Sequence, residues 1–140
     1  MTPSKNTVKA FHQHLGKLFY AIAATDNCVR EEELNKLIEI VKKDWLASNY
    51  IEDHFKTEAE TSIINTFKWL HSTNEYDAET CFNSFIVFIN KHTSLLTKDM
   101  KSLIFKTARA IATSFSNVNK SELIMLAKLN IELNKYNCDG

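Results

Sequence analysis

Four carboxylates, Asp26, Glu31, Glu32 and Glu33, fall within eight residues of one another. Clustered oxygen ligands are what hard cations such as calcium or magnesium require. Their spacing is not that of an EF-hand loop, and a helix start attracts acidic side chains for its own electrostatic reasons. The cluster therefore reads first as a capped helix beginning and second as a cation site. No cofactor other than a divalent cation is suggested.

The remaining chemistry-bearing residues are scattered. His12 and His14 are two apart and point to different sides of a helix, while His54, His71 and His92 lack the Glu three residues earlier that a di-iron bundle needs. Glycine occurs only at Gly16 and Gly140, so phosphate loops and nucleophile elbows are ruled out. Cys81 and His92 are eleven residues apart on one expected helix, roughly 16 Å along its axis, too far to react together. The three cysteines, Cys28, Cys81 and Cys138, form neither a disulfide framework nor a zinc motif. They read as small packed hydrophobes in a reducing, cytoplasmic setting. No catalytic group is assigned, and the expectation is a protein that is not an enzyme.

Lysine plus arginine and aspartate plus glutamate number 17 each, so no net field draws the chain to nucleic acid or to an anionic membrane. The run from Leu18 to Ala24 resembles the apolar part of a secretory signal, but Lys17, His14, Gln13 and His12 interrupt its approach. No stretch reaches the roughly 18 apolar residues of a membrane span. With 140 residues and a single proline, Pro3, the chain fits one domain, 1–140, made of long helices.

Six helices follow from the spacing of apolar residues. The first spans about residues 3–25 with Val8, Phe11, Leu15, Leu18, Phe19 and Ile22 on one stripe. Gly16 at mid-helix costs about 1 kcal/mol against alanine, which points to a closely packed neighbour. The second carries Leu34, Leu37, Ile38, Val41 and Trp45, and the third spans about 52–72. Asp77 caps the fourth, where Phe82, Phe85, Ile86 and Ile89 make one apolar face and Val87 and Phe88 a second, as expected of a central helix. Thr97 begins the fifth, with Met100, Leu103, Ile104, Ala108, Ile111 and Phe115 inward and Lys98, Lys101, Lys106 and Arg109 opposite. Phe105 falls among those cations, so it is either covered by another helix or part of a contact surface. Asn119 and Glu122 form a capping box opening the sixth helix, which runs to about residue 135.

Shifting the chain by 89 positions aligns the first helix and its junction with the fifth, giving eight identities that include Lys17 with Lys106, Val29 with Val118, Glu33 with Glu122 and Leu34 with Leu123. In each arm, about 4–45 and 97–135, the valine before the cap and the leucine at the fourth helical position can form a hydrophobic staple. The glutamate sits where it can accept from the cap. The fold class expected is an all-α single-domain bundle of about six helices, with two pseudo-repeated helix-junction-helix corners around a central apolar helix.

The run from Leu15 to Val29, followed by Glu33 and Leu34, resembles the tellurite-resistance TerB-like family. That family shows an alanine-rich helix, an Asp-Gly-x-Val/Ile junction and a following glutamate near each end of an all-helical domain. Here Asn27 stands where glycine is usual, and Phe115, Ser116 and Asn117 replace the second junction. The resemblance implies a stress-response or interaction module with protein partners, and a suggested metal-binding role for Asp26 and Glu33. No nucleic acid or membrane insertion is expected, and a homo-oligomer is left open.

Overall fold

The computed structural model describes residues 5–24, 31–46, 53–73, 77–114 and 120–135. They form an all-α bundle: α1 (Lys5–Ala23), α2 (Glu31–Leu46), α3 (Asp53–Thr73), α4 (Ala78–Lys91), a 3-10 turn (Thr93–Leu95), α5 (Lys98–Ser114) and α6 (Lys120–Asn134). There is no strand among the described residues.

Two of the helix starts show their cause in the side chains. Asp77 lies in extended backbone and its carboxylate accepts from the Thr80 amide at 2.8 Å. Thr97 Oγ1 accepts from the Met100 amide at 3.1 Å. Both satisfy backbone donors that a helix cannot satisfy internally. The capping bond holds the Asp77 carboxyl below its ordinary range.

The expected apolar stripes are buried. In α1 this holds for Phe11, Leu15, Leu18, Phe19 and Ile22; in α2 for Leu34, Leu37, Val41 and Trp45; in α5 for Leu103, Ile104, Ala108 and Ile111. They join one contiguous core with Ile63, Phe67 and Leu70 of α3 and Phe82, Phe85 and Ile89 of α4.

The place at the centre belongs to α1, not to α4 as the second apolar surface of α4 had implied. Leu18, Phe19, Tyr20, Ala21 and Ile22 are five consecutive buried residues. A helix covered on all sides is the only way to bury such a run, and α1 packs against α2, α3, α4, α5 and α6. In α4, by contrast, Val87 is 53% exposed, because its main helical neighbour is α1 alone.

At Gly16 α1 packs tightly against α3. A Cβ on Gly16 would lie 2.7 Å from Thr66 Cβ and 2.9 Å from the Ile63 carbonyl oxygen. The close neighbour that a mid-helix glycine implied is therefore α3.

The two corners are not equivalent in packing. Leu34 is buried at 8% exposure, whereas its counterpart Leu123 is 57% exposed. The helical repeat explains this difference. Leu34 falls on the stripe of Leu37, Val41 and Trp45, but Leu123 lies about 120° round α6 from the buried Leu129. Val29, Val118 and Asn119 lie outside the described residues.

Candidate functional site

Lys106 and Arg109 are exposed on α5 and Lys101 is half-buried beside them, the three spanning a sector of about 140° round the helix. The structure brings all three into one groove between α5 and α6, with a volume of about 560 Å³. From α5 the groove is lined also by Ser102, Phe105, Ala110 and Thr113, and from α6 by Asn130, Leu133 and Asn134.

Phe105 is half-buried against the core, and Leu133 is buried at 2% exposure. Together they give the groove an apolar floor. The described lining includes three cations and no carboxylate. Asn134 is oriented by its own helix, since its side-chain amide donates to the Asn130 carbonyl and to Asn130 Oδ1, both at 2.9 Å. Lys98 is exposed but does not line the groove. It lies two turns before Phe105 on the same face and extends the positive strip toward the start of α5. A positive rim around an apolar floor can receive an acidic segment that carries one apolar side chain: the charges orient it and the floor retains it.

No family model, no curated protein and no solved structure matches the chain. Any functional reading therefore rests on the site itself.

The acidic junction gives less. Asp26 lies outside the described residues, as do the side chains of Glu33 and Glu122, while Glu31 and Glu32 are exposed at the start of α2. Among the described residues no three His, Cys, Asp or Glu side chains gather where a metal ion could sit. Cys81 is buried, and burial pushes its thiol upward, away from the thiolate a nucleophile needs.

Two histidine arrangements were invisible in the sequence. His12, 3% exposed, places Nδ1 2.8 Å from Glu58 Oε2, and Ser62 donates to Glu58 Oε1 at 3.2 Å. This chain ties α1 to α3 across 46 residues of sequence, a separation no local pattern signals. On the other side of α1, His14 donates through Nδ1 to the Ala10 carbonyl at 2.8 Å and stacks on Phe88. Phe88 in turn meets His92, with both ring pairs 4.4 Å apart. The second apolar surface read on α4 is thus partly an aromatic contact with α1.

Burial is the main cause that lowers His12 below the ordinary histidine value of 6.5, opposed by the Glu58 carboxylate. His14 is lowered as well, chiefly by burial. A depressed folded pKa means the unfolded chain binds protons first, so the stability is complete above 6.5 and is lost as pH falls through the lowered folded values. The urea midpoint is expected to drop between about pH 7.5 and 5.5, a window in which carboxylates stay mostly ionised. In H12Q that drop shrinks, and an unchanged slope in H12Q would remove His12 as its source.

Among the described residues no helix is long and apolar enough to cross a membrane.

Proposed function

We propose that the chain is a non-enzymatic interaction module of the TerB-like kind, which receives an acidic segment of a protein partner in the α5–α6 groove. The observation that carries this reading is the composition of the groove: Lys101, Lys106 and Arg109 stand around Phe105 and Leu133, and no carboxylate shares the described lining. Surface cations usually alternate with acids and neutralise one another. Lys106 and Arg109, both exposed, stand beside half-buried apolar area and offer charge and apolar surface together to a partner.

A cytoplasmic role in stress response accompanies the reading, as the TerB-like resemblance implies. The alanine-rich α1 and the buried Leu34 at the start of α2 support that resemblance.

The test is fluorescence anisotropy with a labelled peptide that alternates glutamates with one leucine and one phenylalanine. Binding is expected to weaken as salt is raised, because the Debye length falls to about 3 Å at 1 M. K106E/R109E is expected to lose about tenfold or more in affinity, since reversing two charges converts attraction into repulsion. Equal binding of a peptide with every glutamate replaced by glutamine would end the reading.

A further inference from the structure

A second concave surface lies on the other side of the bundle, where α1, the end of α3 and the start of α4 meet. Lys17, Trp69, Leu70 and Cys81 enclose a cup of about 160 Å³ with Thr80 and Ser84. Thr80 and Ser84 also line an adjoining, wider depression of about 370 Å³ that reaches His14, Phe88 and Lys91. The two form one trough.

Three features of the cup point to a ligand. Lys17 is half-buried, donates only to the neutral Ser84 hydroxyl at 3.3 Å, and has no carboxylate within ion-pair distance among the described residues. Asp77, the N-cap of α4, is engaged in capping Thr80. A cation partly withdrawn from water without a counter-charge favours an anion that can also take hydrogen bonds from neighbouring hydroxyls. Trp69 is 48% exposed at the rim of the cup, although its neighbour in sequence, Leu70, is 2% exposed and closes the inner wall with the buried Cys81. An indole face beside an apolar wall favours a flat ring. The size agrees, because a cavity of about 150 Å³ holds one benzene ring.

We propose that this cup binds a small aromatic carboxylate, its ring against Trp69, Leu70 and Cys81 and its carboxylate on the Lys17 ammonium and the hydroxyls of Ser84 and Thr80. The site is separate from the α5–α6 groove, and the second depression, with Lys91 at its edge, leaves room for a substituent on the ring. A single charged contact and a single ring make a weak site, in the millimolar to high micromolar range expected for few-atom ligands.

Sodium benzoate is the probe, added to the full ¹⁵N-labelled chain and followed by amide and indole resonances. The two tryptophans separate the outcomes: Trp69 reports the cup, and Trp45, 0% exposed, reports the integrity of the core. Saturable shifts of the Trp69 indole and of the Thr80 and Ser84 amides are expected, with the Trp45 indole unmoved. Benzyl alcohol, which keeps the ring and lacks the charge, is expected to bind about tenfold more weakly, as is benzoate to K17Q. S84A, which leaves the lysine in place, is expected to fall between wild type and K17Q and serves if K17Q disturbs the Trp45 resonance. Absence of saturation, equal binding of benzyl alcohol, or shifts confined to residues 101–113 would overturn the proposal. The last result would also locate the anion in the other groove, so the two readings fail separately.

Discussion

Replacing Trp45 with alanine is expected to cost about 3–5 kcal/mol and to leave the chain largely unfolded at moderate urea. Trp45 is wholly buried, meets the Phe19 ring edge-on at 6.1 Å, and donates its indole N–H to Thr107 Oγ1 at 3.0 Å. It therefore fastens the end of α2 to the C-terminal part of α1 and to the middle of α5. The hydrogen bond can be separated from the packing. T107V keeps the shape but leaves the indole donor buried without its acceptor, at a cost of about 1–3 kcal/mol. Thr107 itself donates to the Leu103 carbonyl at 2.9 Å, a bond the valine also loses, although that carbonyl retains its helical partner. Equilibrium urea unfolding of W45F, W45A and T107V checks the order. W45F, which keeps much of the ring volume, should lie between T107V and W45A, and a W45A variant as stable as wild type would contradict the core described here.

The second large effect is at Gly16, and its sign is the informative part. On an exposed helix Gly→Ala stabilises by about 1 kcal/mol. Here the new methyl would meet Thr66 Cβ at 2.7 Å and, more seriously, the Ile63 backbone oxygen at 2.9 Å. Thr66 cannot swing its Cβ aside, since that atom is fixed to the backbone of α3, and its hydroxyl donates to the Ser62 carbonyl at 2.9 Å. The helices must separate, and the net result expected for G16A is a loss of about 1–3 kcal/mol, larger for G16L. Thermal or urea unfolding reads it. Stabilisation in G16A would mean that α1 and α3 are farther apart than the structure places them.

Much of the fold could be read before any coordinates because the chain has so few turn-forming residues. Long periodic stripes without internal glycine or proline leave little but helices, and Asp77 and Thr97 appear as caps where short polar side chains precede an apolar periodicity. The identity of the central helix was less accessible. Leu18 to Ile22 already carried it, as five apolar residues in a row cannot all lie on one stripe. The competing signal was Val87 and Phe88, which also widen an apolar face, and only packing could decide between them. Phe88 turned out to be covered by His14 and His92, and Val87 by nothing comparable.

The candidate site divides in the same way. The cations of α5 and the misplaced Phe105 follow from helical geometry alone. The opposite wall, Asn130, Leu133 and Asn134, depends on the angle at which α6 returns, and periodicity carries no information about that. The apolar residues of α6 go almost all the way round the helix, so Leu129 and Leu133 could be separated from Leu123 and Ile131 only by seeing which were covered. Long-range pairs such as His12 with Glu58 and Lys17 with Ser84 have no local signature at all, because partners 46 and 67 residues apart are chosen by the packing of whole helices. The repeat gives a partial guide: its aligned lysines, Lys17 and Lys106, each line a groove, although the surroundings differ, with Trp69 and Cys81 beside one and Phe105 and Arg109 nearby at the other.

The most direct measurement of the central claim is an amide-perturbation map of the ¹⁵N-labelled chain titrated with the acidic leucine- and phenylalanine-bearing peptide. The groove between α5 and α6 predicts perturbations concentrated at residues 101–113 and 130–134, centred on Phe105 and Leu133 and abolished in K106E/R109E. Perturbations scattered over the surface, or gathered on α1 and α4 while α5 stays silent, would contradict it.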